Sequence, residues 1–289
     1  LYIACRQANM DLVNLLVEKG ADVNMPNSLG NTPLYIACRQ ANMDLVNLLV
    51  DLRADVNKAN DYGSTPLSAA CFRDNPDVVR LLVRRGANVN QPARNDGATP
   101  LFLECDGGRL SGLGVVRLLV ELGAYVNKAA NDGATPLYIV CENGREERPH
   151  ILDFVKLLLD LGADVNKANK YGKTPLGIAC ERGYLDVVTE MADSGANVNK
   201  KDKFDQTPID IAREWGHTEI VEFLENEKTA ADAAAAAVPE PEPVRSSAFM
   251  DRFRGAAGAA AGVAQKAVDS ITPLWRTPSW RTPSWSTPQ

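Results

Sequence analysis

The segment LYIACRQANMDLVNLLV occupies residues 1–17 and returns letter for letter at residues 34–50. A catalytic site gives no reason to copy a stretch of that length, whereas a fold built by stacking one unit does. The copying continues in looser form. A Thr-Pro phrase places Thr32, Thr65, Thr99, Thr135, Thr174 and Thr207 at spacings of 33, 34, 36, 39 and 33 residues. A second phrase, of the type Gly-Ala-Asp/Asn-Val-Asn, keeps step with it from residues 20, 53, 86, 123, 162 and 195. Two co-registered phrases at a period near 33 restrict the chain to a one-dimensional array of similar units.

Each copy reads as two short helices. The threonine is an N-cap acceptor, and the proline fits the first turn, where its missing N–H is harmless. Leu34, Ala37 and Cys38 then share one face of a first helix. A second helix follows, as in DLVNLLV, and ends at the glycine of Gly-Ala, which takes a left-handed cap readily. Arg53 replaces that glycine in one copy, a local penalty of about 1 kcal/mol. The polar stretch before the next threonine reads as a hairpin finger tipped by a turn. A lone helix pair cannot bury its apolar face, so the units must stack. Extra residues in QPARNDGA, CDGGRLSGLG and CENGREERPHIL fall in turns and leave the helices intact.

This pattern of T-P-L with two short helices resembles the ankyrin repeat over residues 1–228. Seven units follow: a partial one at 1–24, then 25–57, 58–90, 91–127, 128–166, 167–199 and a C-terminal cap at 200–228. The resemblance implies an all-α repeat solenoid with β-hairpin fingers, followed by a disordered tail at 229–289. The last unit has Arg213 where the other six have cysteine, as expected of a face with no following neighbour. The first unit has no comparable cap and is expected to fray. Residue 1 is Leu, so further chain is expected upstream.

Composition narrows the function. Residues 1–228 hold 25 basic against 32 acidic side chains, within a whole-chain net charge of −6. That balance lacks the basic stripe of a nucleic-acid binder. No run of about 18 apolar residues offers a membrane span. The cysteines Cys5, Cys38, Cys71, Cys105, Cys141 and Cys180 each stand four residues after the leucine that opens a first helix. Equivalent residues of stacked helices lie about 10 Å apart, too far for a disulfide ladder, and no C-x-x-C pair suggests a metal site. They read as small buried hydrophobes in a reducing cytoplasm or nucleus. His217 occupies a structural position of the family pattern, and His150 has no second ligand nearby. The glycine-rich GGRLSGLG matches no phosphate-binding fingerprint. No catalytic residue, cofactor or metal is expected.

The resemblance implies a concave groove built from finger tips and the exposed ends of first helices. Mapped here, the fingers contribute Leu29, Tyr62, Asn95 and Asp96, then Asp132, Lys170, Tyr171, Lys203 and Phe204. The helices contribute Arg6, Arg39 and Gln40, then Phe72, Arg73 and Asp106. Further along come Glu142, Asn143, Glu181 and Arg182, then Glu214 and Trp215. The groove would run from basic to acidic, dotted with aromatics of the kind that form binding hot spots. The family frequently places His after Thr-Pro-Leu; here that position holds Tyr35, Ser68, Phe102, Tyr138, Gly177 and Asp210, so no regular hydrogen-bond network is expected through it.

The expected molecule is a monomeric, non-enzymatic array that binds a protein of unidentified kind. Two alternatives stay open: a recruiting or regulatory arm of a larger enzyme or channel lying upstream, and a drifting repeat expansion without a selected partner. In the tail, alternating Pro and Glu read as an extended linker. The W-R-T-P-S repeat reads equally as a motif array with phosphosites at Thr277 and Thr282, or as a recent expansion.

Overall fold

In the computed structural model, which describes residues 1–109, 112–143 and 150–236, the threonines act as expected. Oγ1 of Thr32, Thr65, Thr99, Thr135, Thr174 and Thr207 accepts the N–H three residues on, at 3.1 to 3.3 Å. The prolines occupy the first turns. Ser68 and Asp210, in the variable position, return a side-chain bond to the cap backbone and complete capping boxes.

The helices pair in chain order. The first pairs are α1 (Tyr2–Arg6) with α2 (Met10–Glu18), α3 (Pro33–Arg39) with α4 (Met43–Asp51), and α5 (Pro66–Phe72) with α6 (Pro76–Arg84). Next come α7 (Pro100–Gly107) with α8 (Gly112–Glu121) and α9 (Pro136–Glu142) with α10 (Ile151–Asp160). The last are α11 (Pro175–Arg182) with α12 (Leu185–Asp193) and α13 (Pro208–Glu214) with α14 (Thr218–Ala236). Each first helix packs on the first helix of the next pair, so α1, α3, α5, α7, α9, α11 and α13 form an inner row. The second helices form the outer row. Between the rows, Leu34, Leu49, Leu67, Leu101, Leu137 and Leu158 are fully buried, each contributing about 2 to 3 kcal/mol. Contacts divide the chain into Leu1–Asp232 and Ala233–Gln289, and the array lies in the first. Thr277 and Thr282 lie outside the described residues.

Second helices end at Gly20, Gly86, Gly123, Gly162 and Gly195, with φ from +83° to +95°. Arg53 keeps the same geometry at φ +65°, where an L side chain is strained. Arg53→Gly is therefore expected to raise stability by about 1 kcal/mol, read from urea denaturation midpoints. An unchanged or lower midpoint would mean that Arg53 carries a compensating contact.

All six cysteines are buried free thiols. Burial pushes Cys5 up to about 11 and Cys180 up to about 12, and raises the others as well. They remain protonated, apolar spacers at neutral pH. Arg213, in the same column, is exposed and pairs with Glu225 of α14.

The final asparagine of the Gly-Ala-Asp/Asn-Val-Asn phrase ties each unit to the next. Nδ2 of Asn57, Asn90, Asn127 and Asn166 donates to the carbonyls of Gly86, Gly123, Gly162 and Gly195 at 2.9 to 3.0 Å. Their Oδ1 atoms accept N–H groups of Asn88, Tyr125, Asp164 and Asn197 at 2.7 to 2.8 Å. Each bond is worth about 1 kcal/mol net.

The fingers differ in detail from the expected strand hairpins: no strand forms among the described residues. The cause is a side chain. The side chains of Asn27, Asn60, Asn169 and Asp202 each accept two backbone N–H groups, two and four residues on, so that of the two backbone bonds across each root only the one from its own N–H to the carbonyl four residues on remains. Where Ala93 and Ala130 occupy that root, Asp96 and Asp132 cap Ala98 and Ala134 instead. Successive fingers then join through single backbone bonds, such as Lys170 N–H to the Asp132 carbonyl at 2.9 Å.

Candidate functional site

Because fingers and inner helices project from the same side of the stack, their exposed residues meet. A hollow of about 810 Å³ lies where the fingers bearing Leu29 and Tyr62 face α3, α5 and α7. Tyr35 and Arg39 come from α3, Phe72 from α5, and Leu103 and Asp106 from α7. The predicted residues Arg39, Tyr62 and Phe72 are thus brought together, with Tyr62 and Phe72 each 61% exposed. A second hollow places Asp96, Asp132 and Lys170 of the fingers beside Asp106 and Asn143. Asn95 and Arg73 are exposed next to these surfaces in the chain. Tyr171, Phe204, Arg182 and Trp215 are exposed toward the C-terminal units, apart from both hollows.

Three predicted residues are more committed than the sequence suggests. Gln40 donates to the Arg6 carbonyl at 2.7 Å and so binds one unit to the previous one. Glu181 is half-buried and pairs with Lys173 at 2.7 Å. Glu142 is half-buried, and its carboxyl is pushed up by burial first and by Asp132 next. His217 is structural, with Nε2 3.1 Å from the Glu181 carbonyl of the preceding unit.

The sequence reading missed Glu104 and Arg109. Glu104 is only 4% exposed, and burial pushes its carboxyl up to about 7 despite Arg109 at 3.8 Å. Its signal was present: the corresponding residue is Ala37, Ala70, Val140, Ala179 and Ala212 in other units. Gly112 makes the room, since a Cβ there would lie 3.1 Å from Glu104 Oε2. Arg109 reaches back from the glycine-rich insert. Its guanidinium lies 4.8 Å from the Phe72 ring centre and donates to the Phe72 carbonyl at 2.8 Å. Arg109 thus holds both the ring and the backbone carbonyl of Phe72.

Among the described residues, no group of three or more His, Cys, Asp and Glu could hold a metal ion. No described helix is long and apolar enough to cross a membrane. What the surface offers is aromatic and charged contact area, the chemistry of partner recognition.

No curated protein matches the sequence. Among solved structures, the ankyrin repeat domain of Bcl-3, described as a unique member of the IkappaB protein family, is similar with a TM-score of 0.67 and 29% identity. The match covers 78% of this chain and 96% of that domain. The family model for ankyrin repeats in three copies matches residues 1–93, 91–168 and 148–234. With Thr-Pro caps, paired helices and joined fingers repeated along the same residues, the chain belongs to the ankyrin repeat family.

Proposed function

We propose that this array is a non-enzymatic protein-binding module whose partner lies in the groove between the fingers and the inner helices. The observation that carries this reading is the 810 Å³ hollow in which exposed Tyr62 and Phe72 stand beside Arg39. Aromatic side chains with arginine at the edge of a concavity are what interface hot spots are made of. The packed rows and joined fingers hold the groove in shape before binding, so little ordering entropy is spent on association. The predicted residues further along, from Asn95, Asp96 and Asp132 to Glu142, Tyr171, Glu181, Arg182, Phe204 and Trp215, would extend the contact over several units. The six thiols fit a reducing cytoplasm or nucleus, and the array would act as a monomer without nucleic acid.

The test is affinity capture with the full chain, run beside a variant carrying Tyr62→Ala, Phe72→Ala and Trp215→Ala. Each truncated hot spot costs about 2 kcal/mol or more, so the variant should lose partners by at least about 30-fold while melting at the same temperature. Identical partner lists from the two proteins would defeat the groove reading.

A further inference from the structure

We infer that the occupant of the hollow between α3 and α7 is an acidic segment of a partner protein with a bulky apolar side chain at its centre. This rests on the groove reading above and specifies its ligand. The floor and rim supply the apolar half of the match. Leu29, Tyr35, Tyr62, Phe72 and Leu103 line a space of about 810 Å³, large enough for an anchor side chain and its neighbours. Phe72 is held in place by Arg109, so this wall is set before any ligand arrives.

The charges supply the other half. Both carboxylates that line the hollow are already engaged: Glu104 faces Arg109 at 3.8 Å, and Asp106 takes Arg94 at 3.1 Å and the Asn143 amide. Asp61, beside Tyr62 in the chain, packs against Gly30 of the preceding finger rather than lining the hollow. The arginines are in the opposite condition. Among the described residues, the Arg39 side chain, which lines the hollow, has no hydrogen bond or ion pair. The same holds for Arg73, directly after Phe72, and for Arg6 in the preceding unit. Three uncommitted guanidiniums in a chain of net charge −6 run against its overall charge. Covering the hollow with a neutral segment would desolvate Arg39, the one of the three that lines it, without a partner, and a basic segment would be repelled by all three. Carboxylates flanking an apolar anchor would pair with them in the bidentate geometry that guanidinium favours.

The experiment is fluorescence anisotropy on the full chain with three short fluorescein-labelled peptides. All share a central leucine-tryptophan pair; their flanks are aspartate and glutamate, lysine, or serine and glycine. The acid-flanked probe should bind at least about tenfold tighter than either of the others and weaken as salt rises. Arg39→Gln with Arg73→Gln should cost it about tenfold, and Phe72→Ala a comparable loss, with unchanged melting temperatures. A lysine-flanked probe that binds equally or better overturns the inference, as does an acid-flanked probe that fails to bind or ignores both variants. If the acid-flanked probe fails while the triple variant still loses captured partners, this ligand assignment falls and the groove reading stands. If the triple variant also keeps its partners, both fall.

Discussion

At pH 8 the Glu104→Gln variant should be more stable than the native protein by roughly 3 kcal/mol, and near pH 4.5 the two should be alike. Glu104 is buried on α7, and burial lifts its carboxyl to about 7 from an ordinary value of 4.5. The folded chain therefore keeps this proton up to about pH 7, whereas the unfolded chain releases it near 4.5. Within that window the folded state binds more protons, so Glu104 makes stability fall as pH rises and level off above 7. A difference of about 2.5 in pKa corresponds to roughly 3 kcal/mol at 1.36 kcal/mol per unit. Glutamine keeps the shape without the ionisation. Glu142, also raised, titrates equally in both proteins and cancels in the comparison. Urea denaturation at a series of pH values measures the gap. A gap that stays constant with pH, or a native protein that gains on the variant as pH rises, would show that the carboxyl is not held neutral by the fold.

The second large effect concerns the fingers. Gly133→Ala should cost about 3 kcal/mol, whereas Gly123→Ala should cost only about 1 kcal/mol. Both glycines have left-handed backbones, at φ +87° and +95°. They differ in surroundings. A Cβ on Gly133 would lie 2.8 Å from the Lys170 backbone nitrogen and 3.1 to 3.2 Å from the Asn169 backbone, while one on Gly123 meets nothing within 4 Å. Backbone atoms cannot swing aside as a side chain would, so the fingers must part. Parting them breaks the bond from Lys170 N–H to the Asp132 carbonyl. An array holds together through such neighbour interfaces, so the Gly133→Ala protein should also unfold less cooperatively, with a lower urea m-value. Equal losses in the two variants would show that the fingers do not contribute to coupling.

Much of this architecture was legible because its signals are local. A threonine caps the N–H three residues away, and a glycine ends a helix beside it, so Thr32 and Gly86 announce themselves in any single copy. Arg53 was legible in the same way, as a non-glycine forced into a glycine's backbone. The asparagine ladder was not, since Asn127 finds its partners Gly162 and Asp164 35 and 37 residues onward. Read alone, such an asparagine is a turn former. The finger roots were legible as turns, but not the detail that Asn60 accepts from Tyr62 and Ser64 while its own N–H donates to the Ser64 carbonyl. In the candidate site, exposure at Tyr62, Phe72 and Trp215 followed from their column in the repeat. The engagement of Gln40 and Glu181 did not, because it depends on which neighbour each side chain meets. The Glu104–Arg109–Phe72 arrangement joins a substituted column to an inserted loop, and only the fold brings those two irregularities together.

The most direct measurement is a three-way capture from a lysate of the source, with full-length baits of matched stability. One bait is native, one carries Tyr62→Ala, Phe72→Ala and Trp215→Ala in the groove, and one carries Arg117→Ala and Lys156→Ala on the outer helices α8 and α10. Partners held by the native and outer-helix baits and lost from the groove bait are the result predicted by binding in the groove. Partners kept by the groove bait and lost from the outer-helix bait would place recognition on the opposite face and contradict it.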